Sequence, residues 1–233
     1  MSEPLVLVPG LNCTRALFGP QIAAFEGARP VLVANHTRDD TIPEIARRLL
    51  ADAPPRFGLL GLSMGGYVAL EVMRQAPGRV ARLALLDTSA RPDTDESKAN
   101  RERLIALAGT DRFAEVADIL WQRYVAPHRQ NDAALARIVM GMQRETGPQT
   151  FARQQRAIMG RVDSRPDLPG IEIPTLVLVG EDDVITPPEH AREIAEAIEW
   201  ASLVVVPGCG HLSTLESPGI VNEAIGAWLA AGA

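Results

Sequence analysis

A serine framed by glycines is the clearest chemical signal in this sequence. Gly61-Leu62-Ser63-Met64-Gly65 follows the apolar run Phe57-Gly58-Leu59-Leu60 and precedes a helix-like stretch. At that spacing the serine can sit on a sharp strand-to-helix turn that lifts its hydroxyl clear of a sheet. Glycine is needed on both sides because the turn is strained and the helix packs close. A serine hydroxyl is a weak nucleophile at neutral pH. It needs an imidazole to take its proton during attack and return it to the leaving group, and a carboxylate to hold the imidazole's tautomer. The later part of the chain offers both, each directly behind an apolar run. Residues 174–179 lead into Gly180-Glu181-Asp182-Asp183-Val184-Ile185-Thr186-Pro187, and residues 203–206 lead into Pro207-Gly208-Cys209-Gly210-His211. His211 and Asp183 fit the two roles; the adjacent Asp182, and Asp87 at the end of the run 83–87, are alternative carboxylates.

Such groups must be delivered by elements that end near one another. Short apolar runs alternate with helical patterns, the signature of a parallel sheet with helices on both faces. Strands are expected near 5–8, 30–34, 57–62, 83–87, 174–179 and 202–206, and helices near 41–52, 64–76, 188–199 and 217–230. Ile42, Ile45, Ala46, Leu49 and Leu50 share one helical stripe, as do Val68, Ala69, Val72 and Met73. Between about residue 90 and residue 166 the alternation stops. That segment is rich in Ala, Arg, Glu, Gln and Leu and is interrupted at Gly109, Pro127, Gly147-Pro148 and Gly160, which predicts three or four helices.

Four motifs occur in order: the strand 5–8 with Pro9-Gly10-Leu11-Asn12, the turn Gly61-Leu62-Ser63-Met64-Gly65-Gly66, the loop Gly180-x-x-Asp183-x-x-x-Pro187, and Gly210-His211 with Glu216-x-Pro218. Over nearly its whole length the chain therefore resembles the α/β-hydrolase superfamily, in its short bacterial-type form. The resemblance implies an α/β fold, a mostly parallel sheet with helices on both faces and an inserted helical cap. Residues 1–90 and 167–233 would form the core and residues 91–166 the cap. It implies Ser63, Asp183 and His211 as a catalytic triad, the spacing to Pro187 favouring Asp183 over Asp182. The backbone N–H groups of Leu11 and Met64 would form the oxyanion hole, with Asn12 as the fallback for Leu11. Met64 would stand at a helix N-terminus, where amides are unpaired and the dipole favours negative charge. The first loop reads Pro-Gly where better-known relatives read His-Gly, so the histidine that often braces this loop is missing. Members of the superfamily commonly begin with two antiparallel strands, for which the residues before position 5 leave no room. Trp121, Met140 and Met159, with Met142 and Phe151, are candidates to line an acyl pocket under the cap, although apolar residues at helical spacing are more often plain core. Glu216 is expected to brace the loop or helix after His211.

Composition narrows the partners. The 233 residues, 46% of them hydrophobic, suffice for one domain with an excursion. A formal charge of −6 disfavours nucleic acid, which would require a concentrated basic surface. The arginines between Arg144 and Arg165 alternate with Glu145, Asp163 and Asp167 and read as a solvated helical face. No run of 18 apolar residues is present, and Met1-Ser2-Glu3-Pro4 passes directly into a strand, so neither a membrane span nor a leader is expected and the cytoplasm is the expected location. Two cysteines, Cys13 and Cys209, are too few for a disulfide framework and read as buried, inert thiols in loops bordering the cavity. His36, His128 and His190 read as surface or capping residues. No metal or organic cofactor is implied. The expected activity is acyl transfer from small-molecule carboxylic esters with small apolar acyl or alcohol groups. The loop lacks a Gly-Gly-Gly run, so a wide oxyanion hole for tertiary-alcohol esters is not expected. The same constellation also serves thioester, lactone or carbon–carbon bond hydrolysis, perhydrolase chemistry and slow-hydrolysing ligand receptors, because a fold does not name a substrate.

Overall fold

Among the residues described by the computed structural model, 2–231, six strands form one sheet. They are β1 (Leu5–Val8), β2 (Val31–Val33), β3 (Phe57–Leu62), β4 (Val80–Leu86), β5 (Thr175–Gly180) and β6 (Ala201–Val206). The order is β2-β1-β3-β4-β5-β6, and every pair is parallel. All residues of β1, β3 and β5 are buried, as their unbroken apolar sequences require of strands covered on both faces. The order reverses at β1, with β2 on one side and β3 on the other. Loops leaving β1 and β3 therefore diverge and open a crevice at their C-terminal ends. These are the loops that carry Leu11 and Ser63.

The helices are α1 (Gly19–Phe25), α2 (Ile42–Asp52), α3 (Met64–Gln75), α4 (Asp95–Ala108), α5 (Phe113–Tyr124), α6 (Ala133–Met159), α7 (Pro188–Ala197), α8 (Ser213–Glu216) and α9 (Pro218–Ala230). Helices α2 and α3 pack together, α3 rests on β1, β3 and β4, and α7 rests on β5 and β6; α9 also packs on β5 and β6 and meets α1. Local chemistry fixes α2 at its start. Thr41 Oγ1 accepts the Glu44 N–H and donates to the Glu44 carboxylate at 3.0 Å, a reciprocal cap. The helix then buries Ile42, Ile45, Ala46 and Leu49.

The long excursion between β4 and β5 holds α4, α5 and α6, which pack on one another. Gly109 ends α4, Gly160 ends α6, and Gly147 (φ 73°) kinks α6 just before Pro148, which has no N–H for the helical ladder. β4 begins three residues ahead of the apolar pattern. Arg82 lies in that added stretch and donates from Nε to Glu3 at 2.8 Å and from Nη1 to the Trp228 carbonyl at 2.7 Å. No helix among the described residues is long and apolar enough to cross a membrane.

Candidate active site

Ser63 occupies the turn between β3 and α3 with φ 56° and ψ −117°, a conformation sparsely populated by residues with a side chain. The surroundings enforce it. Ser63 N–H donates to the Leu86 carbonyl at 2.9 Å and Thr88 Oγ1 donates to the Ser63 carbonyl at 2.8 Å. A Cβ at position 61 would overlap the Gly65 carbonyl, and one at position 65 would overlap the Val8 carbonyl, so these two glycines let helix, turn and β1 close on each other. Asn12 (φ 59°), Ser63 and Asp87 (φ 45°) are the three non-glycine residues with positive φ among the described residues. All three stand in the loops around this turn, where strain of this kind tends to collect.

His211 and Asp183 converge on Ser63 from the ends of β6 and β5. Ser63 Oγ lies 2.8 Å from His211 Nε2, and His211 Nδ1 lies 2.7 Å from Asp183 Oδ2. The other Asp183 oxygen accepts the N–H groups of Ile185 (2.8 Å) and Thr186 (3.0 Å), and Thr186 Oγ1 donates to Oδ2 at 2.8 Å. An ionised carboxylate can only accept, so Nδ1 carries the proton and Nε2 of the neutral ring is left to accept from Ser63. Burial works against the imidazolium, but the charge and hydrogen bond of Asp183 outweigh it and raise the His211 pKa above its ordinary value. Burial likewise pushes the Asp183 carboxyl up, yet His211 and the Thr186 donors prevail and hold it below the usual range. Asp87 goes the other way. Burial first, and the Asp183 charge second, push it up to about 8. It is tied to the Ser213 hydroxyl and to the Gly180 N–H at 2.9 Å. Two nearby carboxyls driven in opposite directions take different roles, and the lowered one suits the partner of an imidazolium. Asp182 is exposed.

The loop after β1 separates Leu11 from Asn12. Asn12 N–H is already engaged, donating to Gln154 Oε1 of α6 at 2.9 Å. Neither Leu11 N–H nor Met64 N–H donates to a protein acceptor among the described residues, which leaves both amides free for an oxyanion. The loop has a brace that the sequence reading missed. His36, expected at the surface, is buried and its Nε2 lies 3.0 Å from the Gly10 carbonyl. Burial lowers its pKa to about 4, so the neutral ring donates that bond. Gln154 Nε2 reaches the His36 carbonyl at 3.3 Å, and Asn12 Nδ2 reaches Gln143 Oε1 at 3.2 Å. A histidine brought in from the end of β2 thus holds the loop in place of one within it.

Tyr124, at the end of α5, was likewise unforeseen. Its carbonyl accepts the N–H groups of His211 (3.0 Å) and Leu212 (3.1 Å), its ring stacks on His211 at 5.9 Å between centroids, and its hydroxyl donates to the Leu11 carbonyl at 3.2 Å. Glu216 braces the loop as expected, its two oxygens accepting Ala126 N–H (2.8 Å) and Leu212 N–H (3.2 Å).

Ser63 and His211 open on a cleft of about 270 Å³. Its walls correct the expectation of an apolar acyl pocket. Trp121, Met140 and Met159 are absent from the lining. Trp121 is buried with its indole N–H on the Gln130 carbonyl at 3.2 Å, Met140 is half-buried against the core, and Met159 is half-buried. Met142 and Phe151 are buried as well, Phe151 against the Phe113 ring. Helical spacing turns these side chains toward the packing of the excursion itself. The lining instead includes Leu104, Leu120 and Ile158 together with Asp93 and arginines, among them Arg161 from the stretch expected to be a solvated face. His190, expected at the surface, also lines it. Cys13 and Cys209 are buried outside it, burial pushing the Cys13 thiol up to about 12.

The architecture has counterparts among solved structures. A thermophilic esterase from Thermogutta terrifontis, in a malate-bound form, is 30% identical and superposes with a TM-score of 0.89, over 98% of this chain and 90% of that one. The enol-lactonase from Burkholderia xenovorans LB400 is 25% identical with a TM-score of 0.89, over 98% and 92% of the two chains. A pimeloyl-[acyl-carrier protein] methyl ester esterase from Nitrosospira multiformis is 25% identical over 183 residues, 75% of this chain and 69% of the relative. The family model described as alpha/beta hydrolase fold matches residues 34–218, and the chain belongs to that family.

Proposed function

We propose that this protein hydrolyses small-molecule carboxylic esters by acyl transfer through Ser63. Ser63 Oγ attacks the ester carbonyl carbon while His211 Nε2 takes its proton. Asp183 stabilises the resulting imidazolium, and the carbonyl oxygen, now negative, lies against the N–H groups of Leu11 and Met64. Preorganised donors of this kind each contribute on the order of 3 kcal/mol to the transition state. As the C–O bond breaks, His211 returns the proton to the departing alcohol. Water then attacks the acyl-serine by the same route and frees the acid. Helices α4–α6 act as the cap that limits water in the cleft.

The observation that carries this reading is the unbroken line from Ser63 Oγ through His211 to Asp183, at 2.8 and 2.7 Å, beside two unpaired amides. The likeness to an esterase and an enol-lactonase supports it, lactones being cyclic esters open to the same attack. The test is labelling by a fluorophosphonate together with turnover of p-nitrophenyl acetate. Wild-type protein should label and turn over, and Ser63→Ala should do neither. Stoichiometric release without turnover would mark a slow-hydrolysing receptor instead, and labelling of Ser63→Ala would move the nucleophile elsewhere.

A further inference from the structure

Four arginines, Arg91, Arg101, Arg123 and Arg161, line the cleft that holds Ser63 and His211, against one carboxylate, Asp93. The chain as a whole carries a formal charge of −6, so this concentration of cations runs against the sign of the molecule. The four are not equivalent. Arg91 is neutralised from outside the cleft by Glu193, through contacts of 2.8 and 3.2 Å. Arg101 and Arg161 both depend on Asp93. Arg101 reaches both of its oxygens, through Nε at 2.6 Å and Nη2 at 3.4 Å, and Arg161 Nη1 reaches the second of them at 2.5 Å. Arg123 has no hydrogen-bond or ion-pair partner among the described residues.

Two guanidiniums on one carboxylate leave a positive charge uncompensated. Asp93 and Arg161 are poorly hydrated, with side-chain exposures of 3% and 9%, whereas Arg101 is half-buried and Arg123 is exposed. Placing excess charge where water screens it weakly is unfavourable unless an anion completes the set. A purely architectural ion pair has no reason to be left open, and the more exposed pairs Arg48–Asp39 and Arg165–Asp163 are one to one in their closest contacts. Arg161 Nη2 donates to no protein acceptor among the described residues, whereas its Nε and Nη1 are held by the carbonyls of Arg91 and Ile158 and by Asp93. The cluster shares its cleft with Ser63. The Arg161 guanidinium lies 4.4 Å over the ring of Tyr67, which follows Ser63 by about one helical turn in α3.

We propose that the substrate carries a carboxylate, a few carbons from its ester carbonyl, that binds against Arg101, Arg161 and Arg123 while the carbonyl meets Ser63. This rests on the ester-hydrolase reading and adds the substrate class to it. A guanidinium fork matches a carboxylate in two parallel hydrogen bonds, and the field of the cleft draws anions inward against the repulsion of the outer surface.

The experiment compares monoethyl succinate with ethyl succinamate, which keeps the shape and replaces the carboxylate with a neutral amide. Wild-type kcat/KM should favour the anion by about tenfold or more, the scale of one charge-assisted hydrogen bond. In Arg101→Gln, Asp93 keeps Arg161 as a one-to-one partner, so no buried carboxylate is orphaned. Combined with Arg123→Gln, it should bring the ratio of the two substrates in one enzyme close to unity. Equal use of both esters by wild type overturns the proposal and leaves the hydrolase reading standing, as does a preference that survives both substitutions. Binding of the same two esters to Ser63→Ala, measured by titration calorimetry, decides the matter without turnover. Tighter binding of the anion by about tenfold supports the carboxylate site even if wild type hydrolyses neither ester, in which case the hydrolase reading falls alone. Equal binding, or none, overturns the carboxylate site.

Discussion

Replacing Asp183 with asparagine should disable the proposed acyl transfer by moving the His211 proton to the wrong ring nitrogen, and the structure says why. Two backbone N–H groups, of Ile185 and Thr186, point at Asp183 Oδ1. An asparagine must keep its carbonyl oxygen there, since its amide nitrogen would meet two donors head on. The NH₂ then falls where Oδ2 was, 2.7 Å from His211 Nδ1. A donor at that place forces Nδ1 to accept, so the ring's proton moves to Nε2, the atom that must accept from Ser63 at 2.8 Å. In the proposed mechanism the base then faces the nucleophile in the wrong tautomer. Where a triad aspartate has been changed in this way the loss in kcat is roughly 10⁴-fold, or about 5.4 kcal/mol at 1.36 kcal/mol per decade. Asp182→Asn is the matched control, because Asp182 is exposed and adjoins the same loop; it should change kcat by no more than about twofold, in line with surface substitutions generally. Steady-state hydrolysis of p-nitrophenyl acetate, with circular dichroism to show that both variants fold, measures the difference. If Asp183→Asn keeps more than about a tenth of wild-type kcat, the tautomer argument is wrong and Asp87 becomes the acid to test.

Three further predictions follow from the same geometry. His211 is a base only while neutral, so kcat/KM should fall as pH drops through its raised pKa; the acid limb should lie above the ordinary histidine value of 6.5 and move down in Asp183→Asn, and a wild-type limb below that value would contradict the Asp183 coupling. Gln154→Leu strips the acceptor from Asn12 N–H and the donor from the His36 carbonyl; stability should fall by about 1–3 kcal/mol by urea denaturation and kcat by about tenfold with KM little changed, whereas a change confined to KM would argue against a loop-positioning role. Glu216→Gln can accept only one of the Ala126 and Leu212 N–H groups with its single oxygen; the orphaned amide should cost about 1–3 kcal/mol, read as a lowered Tm, and an unchanged Tm would show that water replaces the bond.

What the sequence disclosed, it disclosed through local pattern. The runs 5–8 and 57–62 are strands because uninterrupted apolar residues with nowhere polar to turn suit a doubly covered sheet, and the glycines around Ser63 announce a turn that tolerates no Cβ. The start of β4 was hidden by Arg82, a charge within a strand; its stem spans apolar surface while its head bonds Glu3 and carbonyls at the end of α9. His36 and Tyr124 were hidden for another reason. Each acts on a loop 26 to 113 residues distant in sequence, and no short-range spacing encodes such a pairing. The residues lining the cleft were obscured in the same way. In the excursion methionine and tryptophan look like pocket and arginine looks like surface, yet Arg101 and Arg161 meet Asp93 in the cleft wall beside Leu104, Leu120 and Ile158, while Trp121 and Phe151 are buried away from it.

Tyr124 is a single residue of the excursion that touches both sides of the candidate site, steadying the histidine loop with its carbonyl and the Leu11 loop with its hydroxyl. The helices over the cleft are therefore not a detachable cover. A transplant that exchanged them for another enzyme's lid to redirect specificity would have to carry a tyrosine to the same spot, or the graft would choose its substrates with machinery already out of true.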